Sequence, residues 1–332
     1  MTGPRLPPVW FERPILPELV AEVSAAVTVL GPPPTDDPYG GLATAQAVIA
    51  GSMRCDAAFM DHASALRVIA RTGIGHDLVD VAEATRRGIA VCNTPDAPTI
   101  STAEHTLTLM LMVAKNVKLA ESRLRQGGGR YYARHEGIEL DGMVLGLIGF
   151  GRIARRVAVI CQGLGMHITA HDPFLSRADV PPGVALLGSL EELLSSADVV
   201  SIHVPLSDAS RGMFGPVQFR QMKPGAVLVN TARGALIDGD ALLEALDEGR
   251  LFGVGLDVTE PEPLPADHPL LRRDDVVVTP HVASATGAGK VRIFRAAFEQ
   301  AVQVLAGRRP VHLVNPDVWD AWPWPGSQED AR

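Results

Sequence analysis

A chain of 332 residues is longer than one ordinary hydrophobic core organises, so two domains are the natural expectation. Hydrophobic residues at 46% and charged residues at 20% give the balance of a soluble globular protein, and a net charge of −8 leaves no basic surface to attract nucleic acid or acidic lipid. The three cysteines, Cys55, Cys92 and Cys161, stand far apart without CxxC or Cys/His ligand spacing, which argues against a disulfide framework or a metal site and fits the reducing cytoplasm.

The N-terminal stretch MTGPRLPPVWFERPILPELV is broken by prolines and lacks the continuous apolar segment of a signal peptide. The longest apolar helical run, TLTLMLMVA, is far too short to span a bilayer, so no membrane partner is expected. Short runs with strand character, AVTVL, AVIAG, LRVIAR and IAVCN, alternate with polar or helical sequence, the pattern of α/β folds with parallel sheets. A single long helix is expected from Ser101 to Gln126. Ser101 and Glu104 have the spacing of a capping box at its start, and Gly127 to Gly129 end it.

The rhythm then becomes regular. Six apolar runs, MVLGLIG, MHITAHD, DVVSIHVP, AVLVN, FGVGLDV and DVVVTPH, are separated by helical stretches such as RIARRVAVICQGLG and GDALLEALDEGR. They predict six strands between Leu140 and His281, enough for one doubly wound sheet of the dinucleotide-binding, Rossmann type. A last helix, KVRIFRAAFEQAVQVLAG, precedes the tail DVWDAWPWPGSQEDAR, whose tryptophans are expected either to be disordered or to pack on the protein or a partner.

The first of the six strands runs into Gly149-x-Gly151-x-x-Ala154. The first glycine permits a tight turn, the second lets backbone approach a pyrophosphate, and the third position needs a small residue for helix–strand packing. The phosphates would lie on the N-terminus of the helix that begins with Arg152 and Ile153. Asp172 follows the next strand, 21 residues after Gly151, where a carboxylate binds both ribose hydroxyls and repels a 2′-phosphate. NAD(H) is therefore expected in preference to NADP(H).

Ligands of such sheets sit beyond the carboxyl ends of the strands. The later strands end in His203-Val204-Pro205, then Thr231-Ala232-Arg233, then Asp257 with Glu260 and Glu262, and finally Pro280-His281. Taken singly, Arg233 could cap a strand, Glu262 could be a solvated acid and His281 could be a packed histidine. Together on one sheet edge they suggest redox chemistry at a hydroxyl-bearing carbon. His281 is suited to move the hydroxyl proton, Glu262 to orient the imidazole and favour its charged form, and Arg233 to grip a carboxylate.

NTARGALID, GLDVTEPEPLPADHPLL, VVVTPHVASAT, LGLIGFGRIARRVA, RTGIGHDLVD and NTPDAPTISTAEHT resemble signature segments of the D-isomer-specific 2-hydroxyacid dehydrogenases, of the phosphoglycerate and glyoxylate/hydroxypyruvate type. The resemblance runs from about Ala47 to Pro316. It implies that Arg233, Glu262 and His281 are the catalytic set, and that His203, Val204, Pro205, Thr231, Ala232, Arg233, Asp257 and His281 border the cofactor. It also implies that Gly73-Ile74-Gly75 binds a substrate carboxylate through backbone amides, with Arg71 beside it either adding a second cation or facing solvent. The implied fold is a Rossmann cofactor domain, residues 109–294, inserted into a flavodoxin-like substrate domain made of residues 1–108 and 295–332. Both would be doubly wound parallel sheets, and a homodimer packed through the cofactor domain is implied with them.

There are departures from the family pattern. Ala154 stands for the commoner third glycine, and Thr259 and Glu260 replace residues usual before the catalytic glutamate, which leaves Glu260 a rival to Glu262. A glutamate in this place disfavours the formate-oxidising branch, and no regulatory domain is expected after the last helix. Two other readings stand beside a 2-oxo acid reductase: an NAD(H)-sensing corepressor, and a dehydrogenase of another small anion held by Arg71 and Arg54. Substrate side-chain selection falls to residues 52–59 and 72–76, and glyoxylate, hydroxypyruvate and phosphorylated glycerates are all open.

Overall fold

The protein is described by a computed structural model, covering residues 6–127, 129–321 and 324. It consists of two compact units, one formed by residues 1–98 and 286–332 and the other by residues 99–285. The divisions thus fall at 98/99 and 285/286, not at 108/109 and 294/295. The reason is packing: the Thr99–Ala114 helix lies on the sheet of the second unit and the Gly287–Leu305 helix on that of the first, so each belongs whole to one unit.

In the first unit β1 (Pro8–Phe11), β2 (Thr28–Leu30), β3 (Ala47–Ala50), β4 (Val68–Arg71) and β5 (Ala90–Cys92) form a parallel sheet in the order β2-β1-β3-β4-β5. That is the flavodoxin order. The strand β1 is absent from the sequence reading because the prolines around it hide three residues, Val9, Trp10 and Phe11, that are buried on both faces. Val9 and Phe11 point to one face, where the Phe11 ring stacks 5.7 Å from Phe294 of the Gly287–Leu305 helix, while Trp10 enters the cluster on the other.

The described residues of the tail pack on this same unit. Residues Asp317–Ala321 are helical, the Trp319 and Trp324 rings stack at 4.7 Å, and the Arg67 guanidinium lies 5.5 Å from the Trp324 ring. Of the expected tail, residues 322–323 and 325–332 lie outside the described residues.

In the second unit β6 (Val144–Ile148), β7 (His167–His171), β8 (Val184–Leu186), β9 (Val199–Ile202), β10 (Ala226–Asn230), β11 (Leu251–Leu256) and β12 (Val276–Val278) form a seven-stranded parallel sheet. The order is β12-β11-β10-β9-β6-β7-β8, so the topological switch falls between β6 and β9. The expectation of six strands missed β8, a three-residue edge strand too short to show a pattern. The Thr99–Ala114 helix buries Leu109, Met110 and Val113 in this unit. It approaches β11 so closely that a Cβ on Gly255 would stand 2.9 Å from Leu109 Cβ, which explains a glycine inside a strand.

The long helix expected from Ser101 to Gln126 is two. It begins at Thr99, so Ser101 is a buried interior residue rather than a cap. It breaks at Asn116, whose left-handed φ of 47° starts a second helix, Val117–Gln126. Asparagine tolerates that conformation, and its side chain donates to Glu136 O. Among the described residues no helix is long and apolar enough to cross a membrane, and no cluster of three or more His, Cys, Asp or Glu side chains is arranged to hold a metal ion.

Candidate active site

The turn after β6 has the geometry that its glycines require. Gly149 has φ +80°, and a Cβ there would stand 2.7 Å from His203 O and 2.8 Å from Val204 Cγ1. Gly151 is the opposite case: a Cβ would meet nothing within 4 Å, so this side of the turn is open. The Arg152–Gln162 helix starts here with Gly151 as an N-cap that offers no side chain, and Ala154 is fully buried as the small packing residue. Asp172, one residue beyond β7, is bound to the turn itself. Its Oδ2 accepts from Phe150 N at 3.0 Å, and its Oδ1 accepts from Phe174 N at 3.0 Å.

His203, just past β9, pairs through Nε2 with Ser201 Oγ at 2.9 Å, and burial pushes its pKa down to about 4. It is a neutral imidazole whose carbonyl closes over Gly149. Past β10, the fully buried side chain of Asn230 shapes the loop: Nδ2 donates to Arg233 O at 2.8 Å and Oδ1 accepts from Ala232 N at 2.9 Å. The Thr231 hydroxyl meets that of Thr106 at 2.9 Å, and Arg233 Nη1 donates to Ala232 O at 2.7 Å.

Glu262 and His281 come together from the loops after β11 and β12. His281 Nδ1 stands 2.6 Å from Glu262 Oε1, and Thr259 N lies 3.5 Å from Glu262 Oε2. The contact is made by Glu262 and not by its rival Glu260. Burial pushes the Glu262 carboxyl up, but the His281 hydrogen bond and charge, the Thr259 amide and the Arg233 charge outweigh it and hold the group below its usual range. The His281 side chain is 45% exposed, which excludes a packed core histidine. Its φ is +54°, a left-handed conformation that costs a non-glycine residue on the order of 1–3 kcal/mol and persists only where the surroundings impose it.

Asp257 helps to impose it. Expected beside the cofactor, its carboxylate is fully buried and engaged: Oδ1 accepts from Thr279 Oγ1 at 2.6 Å and Val282 N at 2.9 Å, and Oδ2 from Ala283 N at 2.8 Å. Its carbonyl accepts from His281 N at 2.7 Å. His105 joins the group with Nε2 2.8 Å from Thr279 Oγ1 and 3.3 Å from Asp257 Oδ1. Burial raises the Asp257 carboxyl and these hydrogen bonds lower it, with the balance below the usual range. Sequence reasoning missed His105 and Thr279; the only signal for His105 was a histidine near the start of the long helix, ahead of its apolar run.

In the first unit the Gly73–Gly75 loop differs from expectation in one respect. Gly73 N donates to Thr94 Oγ1 at 2.8 Å, so its amide is already spent, and among the described residues no protein acceptor takes the amides of Ile74 and Gly75. Asn93 Nδ2 holds Ile74 O at 2.8 Å and Arg71 Nε holds Gly75 O at 3.2 Å. Arg71 is only 7% exposed and supports the loop rather than facing solvent, whereas Arg54 is exposed.

A profile of the "D-isomer specific 2-hydroxyacid dehydrogenase, NAD binding domain" matches residues 107–283. The glyoxylate reductase of Korarchaeum cryptofilum is 40% identical over 279 residues, 82% of this chain and 83% of that one. The chain belongs to the D-isomer specific 2-hydroxyacid dehydrogenase family. It is also 38% identical over 268 residues to the D-3-phosphoglycerate dehydrogenase of Archaeoglobus fulgidus, but spans about half of that relative, 51%. Among solved structures, the TT0316 protein of Thermus thermophilus is similar with a TM-score of 0.85 and 38% identity, covering 92% of this chain and 99% of that one. The D-lactate dehydrogenase of Aquifex aeolicus, complexed with NAD and lactic acid, is similar with a TM-score of 0.79 and 26% identity, covering 93% and 99%. NAD(H) is the cofactor, and the open face at Gly151 beside an uncapped helix N-terminus, with Asp172 anchored to the same turn, fits it.

Proposed function

We propose that the protein is an NAD-dependent dehydrogenase that interconverts a small 2-oxo acid and a D-2-hydroxy acid. The observation that carries this reading is the 2.6 Å pair of Glu262 and the half-exposed His281 at the carboxyl edge of the sheet that bears the glycine turn. Bound NADH supplies the hydride for the carbonyl carbon. His281 supplies the proton: Glu262 fixes Nδ1, so Nε2 is the nitrogen that gives a proton to the substrate oxygen in reduction and takes it back in oxidation. Arg233, whose charge already bears on Glu262, offers parallel donors to the substrate carboxylate or carbonyl. The amides of Ile74 and Gly75 are further receptors for a carboxylate. Val204, Pro205, Thr231 and Ala232 border the cofactor. Asp172 favours NADH over NADPH.

The complete Arg233, Glu262 and His281 set supports an enzyme over an NAD-sensing corepressor. The likeness to a glyoxylate reductase over about four-fifths of both chains makes glyoxylate the first acid to test, and a cytoplasmic homodimer is the proposed form. The deciding experiment is NADH consumption across a panel of 2-oxo acids, with NADPH in parallel and the mass of the assembly measured in solution. Turnover of one acid with NADH preferred is expected. Tight NADH binding without turnover on any acid would overturn the proposal.

A further inference from the structure

The hydrogen-bond donors and acceptors around Asp257 determine each other. Its buried carboxylate is held in the ionised form by its donors and can only accept, so the single hydroxyl proton of Thr279 goes to Oδ1 at 2.6 Å. The Thr279 oxygen is then an acceptor, and His105 Nε2, at 2.8 Å, must be the donor. The chain of bonds runs from the Thr99–Ala114 helix through Thr279 to Asp257. Asp257 in turn takes the amides of Val282 and Ala283 on its carboxylate and that of His281 on its carbonyl. His281, with its left-handed φ of +54°, is therefore gripped from both sides in sequence, two residues before and one and two after.

We propose that His105 is a positioning residue for His281: through Thr279 and Asp257 it holds the left-handed turn that presents the imidazole to Glu262. Its polar partners are Thr279 and Asp257, so it acts through the turn. The inference rests on the reading that His281 moves the substrate proton. Its structural half, that His105 orients the His281 ring, does not. A half-buried donor on a helix and a buried acid at a strand end act here as one clamp, so losing either end frees a conformation that the backbone does not choose by itself.

The test uses the full-length protein and three variants. His105→Ala removes the donor, His105→Gln restores an N–H close to the place of Nε2, and Thr279→Val keeps the volume while deleting the hydroxyl. kcat and KM are measured with NADH and the best 2-oxo acid, NADH affinity by fluorescence, and the titration of the His281 ring C–H signal by NMR, assigned by its loss in His281→Ala. His105→Ala and Thr279→Val are expected to lower kcat about ten- to a hundred-fold. NADH affinity and the KM for the acid should stay within about two-fold, while the His281 signal titrates at a displaced midpoint. His105→Gln should recover most of both effects. Wild-type kcat with an unmoved titration in His105→Ala would overturn the proposal, and so would a Gln variant as impaired as Ala. Should His105→Ala fail to fold, Thr279→Val gives the same two readouts. If the wild-type protein reduces no 2-oxo acid, the functional reading falls, and the His281 titration still decides whether His105 positions the ring.

Discussion

Asp172 Oδ2 accepts a hydrogen bond from Phe150 N at 3.0 Å, so the acid proposed to select the ribose is fastened to the middle of the turn that would receive the pyrophosphate. Replacing Asp172 then does two things at once. It removes the proposed acceptor for the ribose hydroxyls, and it releases an amide between Gly149 and Gly151. Asp172→Ala is expected to weaken NADH about ten- to a hundred-fold, the loss expected for hydrogen bonds to a charged group. NADPH should lose less, because the repulsion of its 2′-phosphate disappears. Titration of both cofactors into the variant measures this, and an unchanged NADH-to-NADPH ratio would remove Asp172 from its role.

His281→Ala should lower turnover by about 10²–10⁴-fold while leaving NADH binding near wild type, the range for loss of a general acid–base group. Glu262→Gln should keep the hydrogen-bonded geometry but lose the carboxylate charge beside His281 Nδ1. It is expected to reduce kcat more than it raises KM. Undiminished turnover in His281→Ala would sink the assignment.

The strand-end cluster was legible because Arg233, Glu262 and His281, to which the chemistry is assigned by proposal, have few other reasons to stand together at strand ends, and because the glycine turn and Asp172 stand at the spacing of a dinucleotide site. What was not legible is the support. Nothing in the string says that Asp257 spends its carboxylate on Thr279, Val282 and Ala283, since those partners are fixed by how β11 and β12 align and by His105 from a distant helix. Nor does it show that Thr94 consumes the Gly73 amide. The break at Asn116 was hidden because no glycine or proline marks it and the bonds that support the left-handed turn, among them Asn116 to Glu136 O and Ile138 N to Ala114 O, are tertiary. Strands β1 and β8 escaped for a plainer reason: one sits among prolines and the other has three residues.

Glu12 supports a pH-dependent stability prediction. Its carboxylate accepts from the amides of Gly51, Ser52 and Met53 and from the Ser52 hydroxyl, the last three at 3.0, 3.1 and 3.0 Å for Ser52 N, Met53 N and Ser52 Oγ. Burial raises its pKa and these bonds lower it, leaving it below the usual range. A depressed folded pKa contributes stability above the unfolded value of about 4.3, and that contribution is lost as pH falls through the lower, folded value. Glu12→Gln should therefore cost roughly 1–3 kcal/mol at pH 7, because one acceptor becomes a donor facing amides. The gap to wild type should narrow as pH is lowered below about 4.3. Urea unfolding at pH 7 and at successively lower pH measures both, and a gap that widens toward acid would contradict the assignment.

Trp324 tests how the end of the described chain contributes. Its ring is 5% exposed, stacked on Trp319 and covered by the Arg67 guanidinium beside β4, so the tail closes part of the hydrophobic face that the Gly287–Leu305 helix also covers. Truncating a buried tryptophan costs about 3–5 kcal/mol where the site cannot collapse. The other side of the ring is covered by the flexible Arg67 side chain, which can move into part of the space, so Trp324→Ala is expected at or below the lower end of that range. Because the second unit has its own sheet and core, the loss should appear in the first unit's unfolding and leave NADH affinity untouched. Calorimetry with and without NADH separates the two: a variant with wild-type stability would show that the stacked ring is mere decoration, and one that no longer binds NADH would show that the two units do not fold independently.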